Sequence, residues 1–382
     1  MANNNENKIL NVPNLRFPEF TGEWKKCIIQ DYGEVITGNT PPTSNSEYYN
    51  NGSYLWASPA DLGIGKKIND TKTKLSLLGF KKTRVIPQGS ILVTCIGSTI
   101  GKMGMATETM SSNQQINSIV VNEKNNNDFV YYAISHAFPR YLSEVGVQAV
   151  PILSKSNFEK LPNYTTSRNE QDKIGYFLNL LDERIATQNK IIEDLKKLKS
   201  AIYQEMFSNL QGEECSLSDL VEIIKGQQIN GSELRDSGKY YVMNGGIAPS
   251  GYYDSYNTEA DTISISEGGN SCGYVQYNSS EFWSGGHCYT LRIKPTSSIA
   301  THFLFHYLKW KEPDIMALRI GSGLPNIQKK DLSKVSIIVP TLDKQLQLTV
   351  LLSAFKKKIE NEEMYITNSD KQKQYLLQQM FI

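Results

Sequence analysis

The segment richest in potential chemistry is Gly97-Ser98-Thr99-Ile100-Gly101-Lys102-Met103, which has the glycines and the lysine of a phosphate-binding loop. Such a loop needs four residues between its glycines and a Ser or Thr after the lysine to hold magnesium. Here three residues intervene and Met103 follows, so nucleotide hydrolysis is not expected. The segment reads as a turn between strands, or as backbone amides offered to a nucleic-acid phosphate. His302 and His306 lie one helical turn apart, the spacing of two zinc ligands, but Phe303 stands where a zinc protease has its glutamate. Glu267 follows a strand end without a second carboxylate, and one carboxylate supports no acid–base reaction. Cys27, Cys95, Cys215, Cys272 and Cys288 form no Cys-x-x-Cys pair and read as free thiols of a reducing compartment.

Asn39-Thr40-Pro41-Pro42-Thr43 has the composition of the Asn-Pro-Pro-aromatic motif of amino-methyltransferases, but in the wrong order and without a ring to stack a flipped base. No Gly-rich cofactor loop follows a first strand, so neither a catalytic nor a cofactor-binding constellation is expected in this chain, nor a metal site. What remains is a set of basic and amide side chains at expected loop tips. In the first half these are Lys66, Lys67, Lys81, Lys82, Arg84, Ser98, Thr99, Lys102 and Gln114, with Tyr48, Tyr49, Tyr54 and Trp56 nearby. In the second they are Gln227, Gln228, Asn230, Asn244, Asn270, Tyr274 and Arg319, with Tyr252, Tyr253 and Tyr256. Lys and Arg suit phosphates, whereas Gln, Asn and Arg make paired hydrogen bonds to base edges in the major groove. An ordinary solvated surface is the competing reading of each one singly.

The elements that must position these residues come in two copies. Gln204-Glu205-Met206-Phe207 returns as Gln378-Gln379-Met380-Phe381, and the same spacing aligns Pro151 with Pro325, Phe158 with Leu332, Gln171 with Gln345 and Ile185 with Ile359. Upstream, Gly97 and Gly101 align with Gly269 and Gly273. Each copy begins with strand-like sequence and ends in a long helix; Ser90–Ile96 and Asp261–Ser266 read as strands entering the Gly-rich turns, with short helices expected at 128–143 and 301–319. Ile174, Leu178, Leu181, Ile185, Gln188, Ile192, Leu195, Lys199, Ile202 and Met206 alternate steps of four and three, a heptad seam. Leu348, Leu352, Phe355, Ile359, Glu362, Ile366, Ser369, Lys373, Leu376 and Met380 repeat it in phase, with polar breaks at matching places. An uninterrupted helix of roughly 33 residues is about 50 Å long. Pairing the two antiparallel gives a pseudo-two-fold axis.

The chain of 382 residues has 40 Lys and Arg against 39 Asp and Glu, a net charge of +1, which excludes a polybasic tail and a globally basic nucleic-acid binder. No run approaches a membrane-spanning length, and the first twenty residues lack the apolar core of a signal peptide, so a cytoplasmic protein is expected.

Three phrases carry a resemblance over the whole length. Pro13-Asn14-Leu15-Arg16-Phe17-Pro18-Glu19-Phe20-Thr21-Gly22-Glu23-Trp24, then Ile91-Leu92-Val93 running into Gly97–Lys102, and Gly321-Ser322-Gly323-Leu324-Pro325-Asn326-Ile327 followed by Val339-Pro340-Thr341-Leu342-Asp343-Lys344-Gln345, are similar to the specificity subunits of type I restriction–modification systems, in particular those of Gram-positive bacteria. The first copy departs at Thr165-Thr166-Ser167-Arg168-Asn169-Glu170-Gln171, which lacks the proline. The resemblance implies an α+β protein with two repeated α/β target-recognition domains joined by two long helices in an antiparallel coiled coil. The expected segments are an N-terminal stretch 1–20, domain one at 21–167, a central helical spacer at 168–210, domain two at 211–340 and a C-terminal spacer at 341–382. Leu178, Leu181, Ile185, Ile192, Leu195, Leu352, Phe355, Ile359, Ile366 and Leu376 would form the coil, while Ile191, Leu198, Tyr203 and Tyr375 beside the seam would face a partner.

The implied function is recognition of a bipartite double-stranded DNA site, one half per domain, with the helices setting the spacer. Two modification subunits would bring S-adenosylmethionine and methylate adenine N6 after flipping the base. Two restriction subunits would add ATP- and magnesium-dependent translocation and cleavage. None of that catalysis or its cofactors would reside in this chain. The near-neutral charge suits a subunit that binds DNA weakly alone and gains grip from its partners. A coiled-coil scaffold carrying two ligand-binding domains unrelated to DNA is the competing reading.

Overall fold

A computed structural model describes residues 11–144, 152–321 and 323–382. Pro151 of the repeat alignment and Ser322 of the Gly321–Ile327 phrase lie outside the described residues, as do residues 1–10 and 145–150. The chain divides into two compact units, one of the residues up to Asn189 together with Tyr365–Ile382, the other Lys190–Met364.

In the first unit, a sheet runs in the order Gly33–Thr37, Ile116–Val121, Ile91–Thr94, Met103–Ala106, Lys67–Ile68. In the second, the order is Val221–Lys225, Cys288–Ile293, Thr262–Ser266, Val275–Asn278. The four strands correspond one to one, and all their pairings are antiparallel. The first unit adds Lys67–Ile68 parallel to Met103–Ala106. The inner strand Ile91–Thr94 is buried at every residue, which suits its unbroken β-branched and apolar run. A smaller sheet accompanies each: Thr73–Leu75, Tyr54–Ala57, Met110–Ser112 and Val85–Ile86 in the first unit, and Gly251–Tyr253, Tyr240–Met243 and Trp283–Ser284 in the second.

The Gly-rich segments are hairpin turns. Gly97 and Gly101 adopt φ of +96° and +91°, and Gly269 and Gly273 +78° and +92°, values that a side chain disfavours. The Gly101 amide donates to Thr94 O and the Gly273 amide to Ser266 O, both at 2.9 Å, while Ile100 N and Lys102 N donate within the turn. Those amides are committed to closing the turn, so the segment does not cradle a phosphate as a nucleotide loop does.

Helices Asn127–Glu144 and Thr301–Trp310 cover the sheets. The helix expected over 301–319 is broken into Thr301–Trp310 and Glu312–Ala317. Pro313 is the reason: it has no N–H for the preceding turn but fits the first turn of a new helix.

The long helices are Arg168–Ser208 and Leu342–Met380, and each gives one part to each unit. Every seam position is buried or half-buried. Within the first unit, Lys373 pairs with Asp182, and the Arg184 guanidinium lies 4.9 Å from the Tyr365 ring centre. Within the second, Lys196 meets Glu363 at 2.6 Å, and Tyr203 and Ser353 both bond to His306. In each unit the two helical segments therefore run antiparallel. Ile191, Leu198 and Tyr375 are exposed, as their flanking positions require. Tyr203 is not: it is 6% exposed and its hydroxyl bonds His306 Nδ1 at 2.6 Å, because the second unit's short helix covers that face.

Candidate functional site

In the first domain, four loops at one end of the large sheet are laced together. Asn39 Nδ2 donates to Lys82 O at 2.9 Å, and its Oδ1 accepts from Arg84 N at 2.7 Å. Arg84 donates to Thr37 O, and Thr40 donates to Gln114 Oε1 at 2.5 Å. Gln115 donates to Ile96 O and receives a bond from Asn113 Nδ2, which brings the Gly97–Thr99 turn alongside. Trp56 and Tyr49 fasten the same loop from beneath, donating to Asn39 O and Pro41 O. Lys81, Lys82, Arg84, Ser98 and Gln114 are left exposed around this cluster, with Thr99 half-exposed. The Lys102 stem lies along Gly63, beyond the turn. The Asn39-Thr40 pair, which fails as a methyltransferase motif, is the buttress of the cluster.

Lys66 and Lys67 belong elsewhere. The Lys66 ammonium is buried, paired with Asp128 at 2.5 Å and donating to Tyr132 OH and Asn179 Oδ1. Burial lowers its pKa, and Asp128 opposes that shift. Lys67 pairs with Glu183 on the first long helix. Neither points toward the loop cluster: Lys66 fastens the sheet to the helices and Lys67 faces their side chains. Adjacent lysines in sequence read alike until the strand they sit on is known.

The second domain repeats the arrangement. Gln227 N donates to Ser284 O, and Trp283 Nε1 donates to Gln227 O. Asn244 Oδ1 accepts from His287 N at 3.2 Å, and Ser266 Oγ donates to Gly245 O. The Gln228 side chain lies against Gly286. Gly269 N donates to Pro325 O, which brings the Gly268–Asn270 turn beside the loop that ends at Ile327. Gln227, Gln228 and Asn270 are exposed here, with Asn244 half-exposed. Asn230 stands at the N-cap of Gly231–Glu233, its side chain accepting from Ser232 N. Arg319 is exposed at the end of the short helices, next to the Ile320–Asn326 bridge. Tyr274 turns away from the cluster, its ring 3.9 Å from Lys309 Nζ.

A group that the spacing arguments missed sits at this cluster: Glu267 accepts from Lys225 Nζ at 2.7 Å and from Tyr289 OH at 3.0 Å. Burial and the Glu267 charge push the Tyr289 hydroxyl up to about 12. The signal available in the sequence was the repeat itself, since Cys95 and Asn117 occupy the matching places in the first copy.

The zinc reading of His302 and His306 does not hold. His302 bonds Tyr277 at the surface, while His306 is buried between Tyr203 and Ser353. Among the described residues no group of three His, Cys, Asp or Glu side chains is placed to hold a metal, and no helix is long and apolar enough to cross a membrane.

Comparison with known proteins supplies the context for the two clusters. A Mycoplasma pneumoniae protein named as a type I specificity subunit is 35% identical over 147 residues, 38% of this chain and 39% of that one. The HindI specificity subunit of Haemophilus influenzae is 29% identical over 185 residues, 46% of this chain and 39% of that one. The matched stretches thus span about two fifths of the length of these relatives. The crystal structure of a type I restriction–modification S subunit from M. genitalium shares the fold, with a TM-score of 0.68 and 20% identity, covering 97% of this chain and 99% of that one. The profile of the type I restriction modification DNA specificity domain fits twice, at residues 21–197 and 211–369. Each fit contains one loop cluster and most of the helix that follows it, and the chain belongs to that DNA specificity domain family.

Proposed function

We propose that this chain is the DNA-reading, non-catalytic subunit of a type I restriction–modification complex, each domain recognising one half of a bipartite duplex site. The observation that carries the reading is the duplicated loop cluster. Two sheets that share four matching strands each gather loops at one end, and exposed amide and basic side chains stand on those loops in both. Exposed Lys81, Lys82 and Arg84 suit phosphate oxygens, and Gln114, Gln227, Gln228, Asn244 and Asn270 suit base edges. The long helices set the spacing between half-sites, in the way that a rigid connection between two reading heads fixes half-site separation.

The reading extends to partners. Two modification subunits supply S-adenosylmethionine and adenine methylation, and two restriction subunits supply ATP- and magnesium-driven cleavage. The exposed apolar side chains Ile191, Leu198 and Tyr375 beside the seam offer contact area to them. A net charge of +1 supports a division of labour in which the partners add much of the affinity for a polyanion. The scaffold reading gains nothing from membership in a DNA specificity family.

The test is methylation mapping in the host with and without the gene, followed by exchange of residues 22–160 for those of a relative. Methylated adenines in a bipartite motif vanish without the gene, and the exchange alters one half of the motif while leaving the other half and the spacer unchanged. A motif that persists without the gene, or changes in both halves on exchange, overturns the reading.

A further inference from the structure

The Glu267 group in the second domain contains an unsatisfied acceptor. Glu267 is 9% exposed, and while its Oε1 takes bonds from Lys225 and Tyr289, its Oε2 is buried with no hydrogen-bond partner. His287 Nδ1 stands 3.8 Å from that oxygen. The imidazole is 63% exposed and sits among the reading loops: its backbone N–H donates to Asn244 Oδ1 and its carbonyl accepts from Glu267 N. One edge of the ring thus faces a buried carboxylate oxygen that lacks a donor, and the rest faces outward among the exposed Gln and Asn side chains.

A buried acceptor without a donor is a costly arrangement, and His287 Nδ1 is the ring nitrogen that stands beside it. Neutral imidazole donates from one nitrogen only, whereas the imidazolium donates from both. A doubly protonated ring can therefore serve the Glu267 oxygen with one nitrogen and an acceptor on the DNA with the other. We propose that His287 is a DNA-contacting residue of the second domain that takes up one proton from solvent on binding, giving Nδ1–H to Glu267 Oε2 and Nε2–H to an acceptor on the DNA. Glu267 is its positioning residue. The inference rests on the DNA-reading function proposed above and adds a specificity residue and a proton to it. The first domain has no counterpart: Cys95 and Gln115 stand at the matching positions, and the Gln115 amide is engaged with Asn113 and Ile96.

The other titratable groups around the pair are the Lys225 ammonium from the edge strand, Tyr289 and Cys288 from the neighbouring strand, Cys272, whose thiol donates to Glu267 O at 3.0 Å, and Arg319 near Cys272. Burial pushes Cys288 up to about 11 and raises Cys272, and Tyr289 lies at about 12, so none of these three titrates between pH 6 and 8.5.

The experiment uses the full chain assembled with its modification subunits, and a duplex bearing the motif found by methylation mapping. Dissociation constants are measured from pH 6 to 8.5 at constant ionic strength for the wild type, His287→Gln and Glu267→Gln. The wild type binds more tightly as pH falls, by up to about tenfold per pH unit at the steepest. His287→Gln binds more weakly and removes that component of the slope, and Glu267→Gln reduces it. Binding by His287→Gln with the wild-type slope and affinity overturns the proposal, and because this side chain is exposed, its replacement leaves folding intact even if Glu267→Gln does not fold. Absence of site-specific binding by the wild type at every pH is a different failure: it overturns the DNA-reading function, and the His287 proposal with it.

Discussion

Tyr132 and His306 occupy the same place in the two repeats, and their surroundings give them opposite chemistry. Tyr132 donates to Asp182 Oδ2 at 2.5 Å and accepts from the buried Lys66, so the first unit holds a half-buried network of charges. His306 is 2% exposed between Tyr203 and Ser353, and burial, aided by Lys199, His302 and Lys356, pushes it down to about 4. An unfolded histidine titrates near 6.5. The unfolded chain therefore binds a proton that the folded one refuses, and the stability present above pH 6.5 is lost as pH falls from there toward 4. The loss reaches up to about 3 kcal/mol, from the size of the shift. Thermal unfolding followed from pH 7 to 5 should show the transition of the second unit falling steadily, and His306→Gln should flatten that dependence. None of this was legible in sequence, where the pair His302 and His306 offered only a spacing. The same holds for Lys66: a lysine beside Lys67 in an expected loop reads as a cation for phosphate until the structure buries it against Asp128.

At the scale of elements, the start of each long helix is fixed by a glutamine that the repeat alignment singles out. Gln171 donates to Thr166 O and accepts from Asn126 N; Gln345 donates to Pro340 O and accepts from Ala300 N. Every one of these partners is separated by the same 174 residues. The missing proline of the first copy therefore changes little, because Thr166 offers the same carbonyl that Pro340 does. The helices begin at the matching residues Arg168 and Leu342. Gly175 lies one turn further in, where a side chain would collide with Asn126, which Gln171 holds, and with the Phe129 backbone in the first turn of Asn127–Glu144. Gln171→Leu or Gln345→Leu leaves a buried amide and a carbonyl without partners, at about 1–3 kcal/mol each. Hydrogen exchange should accelerate at Asn126 in the first variant and at Ala300 in the second, with the other unit unchanged. Exchange that rises equally in both units is the contrary result. The heptad seam was the most legible feature of the chain, because a period of 3.5 residues is a property of one element alone.

At the scale of the molecule, the sequence repeat and the structural unit are different things. Phe381, at the end of the second long helix, lies 5.4 Å from Phe129 and 5.9 Å from Trp24 and His136 in the first unit. Phe207, at the end of the first long helix, lies 6.1 Å from Phe303 and 5.5 Å from Trp310 in the second. Each unit closes its aromatic core with the helix end of the other repeat. Phe207→Ala should therefore destabilise the second unit, and Phe381→Ala the first, by about 3–5 kcal/mol. Exchange measured over Asn127–Glu144 and Thr301–Trp310 distinguishes this from the sequence-order assignment, which places each loss in the opposite unit.

The sequence by itself determined the duplication, the two strand-rich modules, the seam and the lack of a recognisable catalytic motif, since all of these are patterns of residue type along the chain. Tertiary structure decided which helix end completes which core, which lysines face solvent, and which loops gather around Asn39 and around Glu267. These are contacts between residues far apart in sequence, set by burial and by the demand that buried polar groups find partners. The glycines at 97 and 101 illustrate the division. Their spacing marked a turn in advance, but only the φ angles and the committed amides showed that the turn closes on itself.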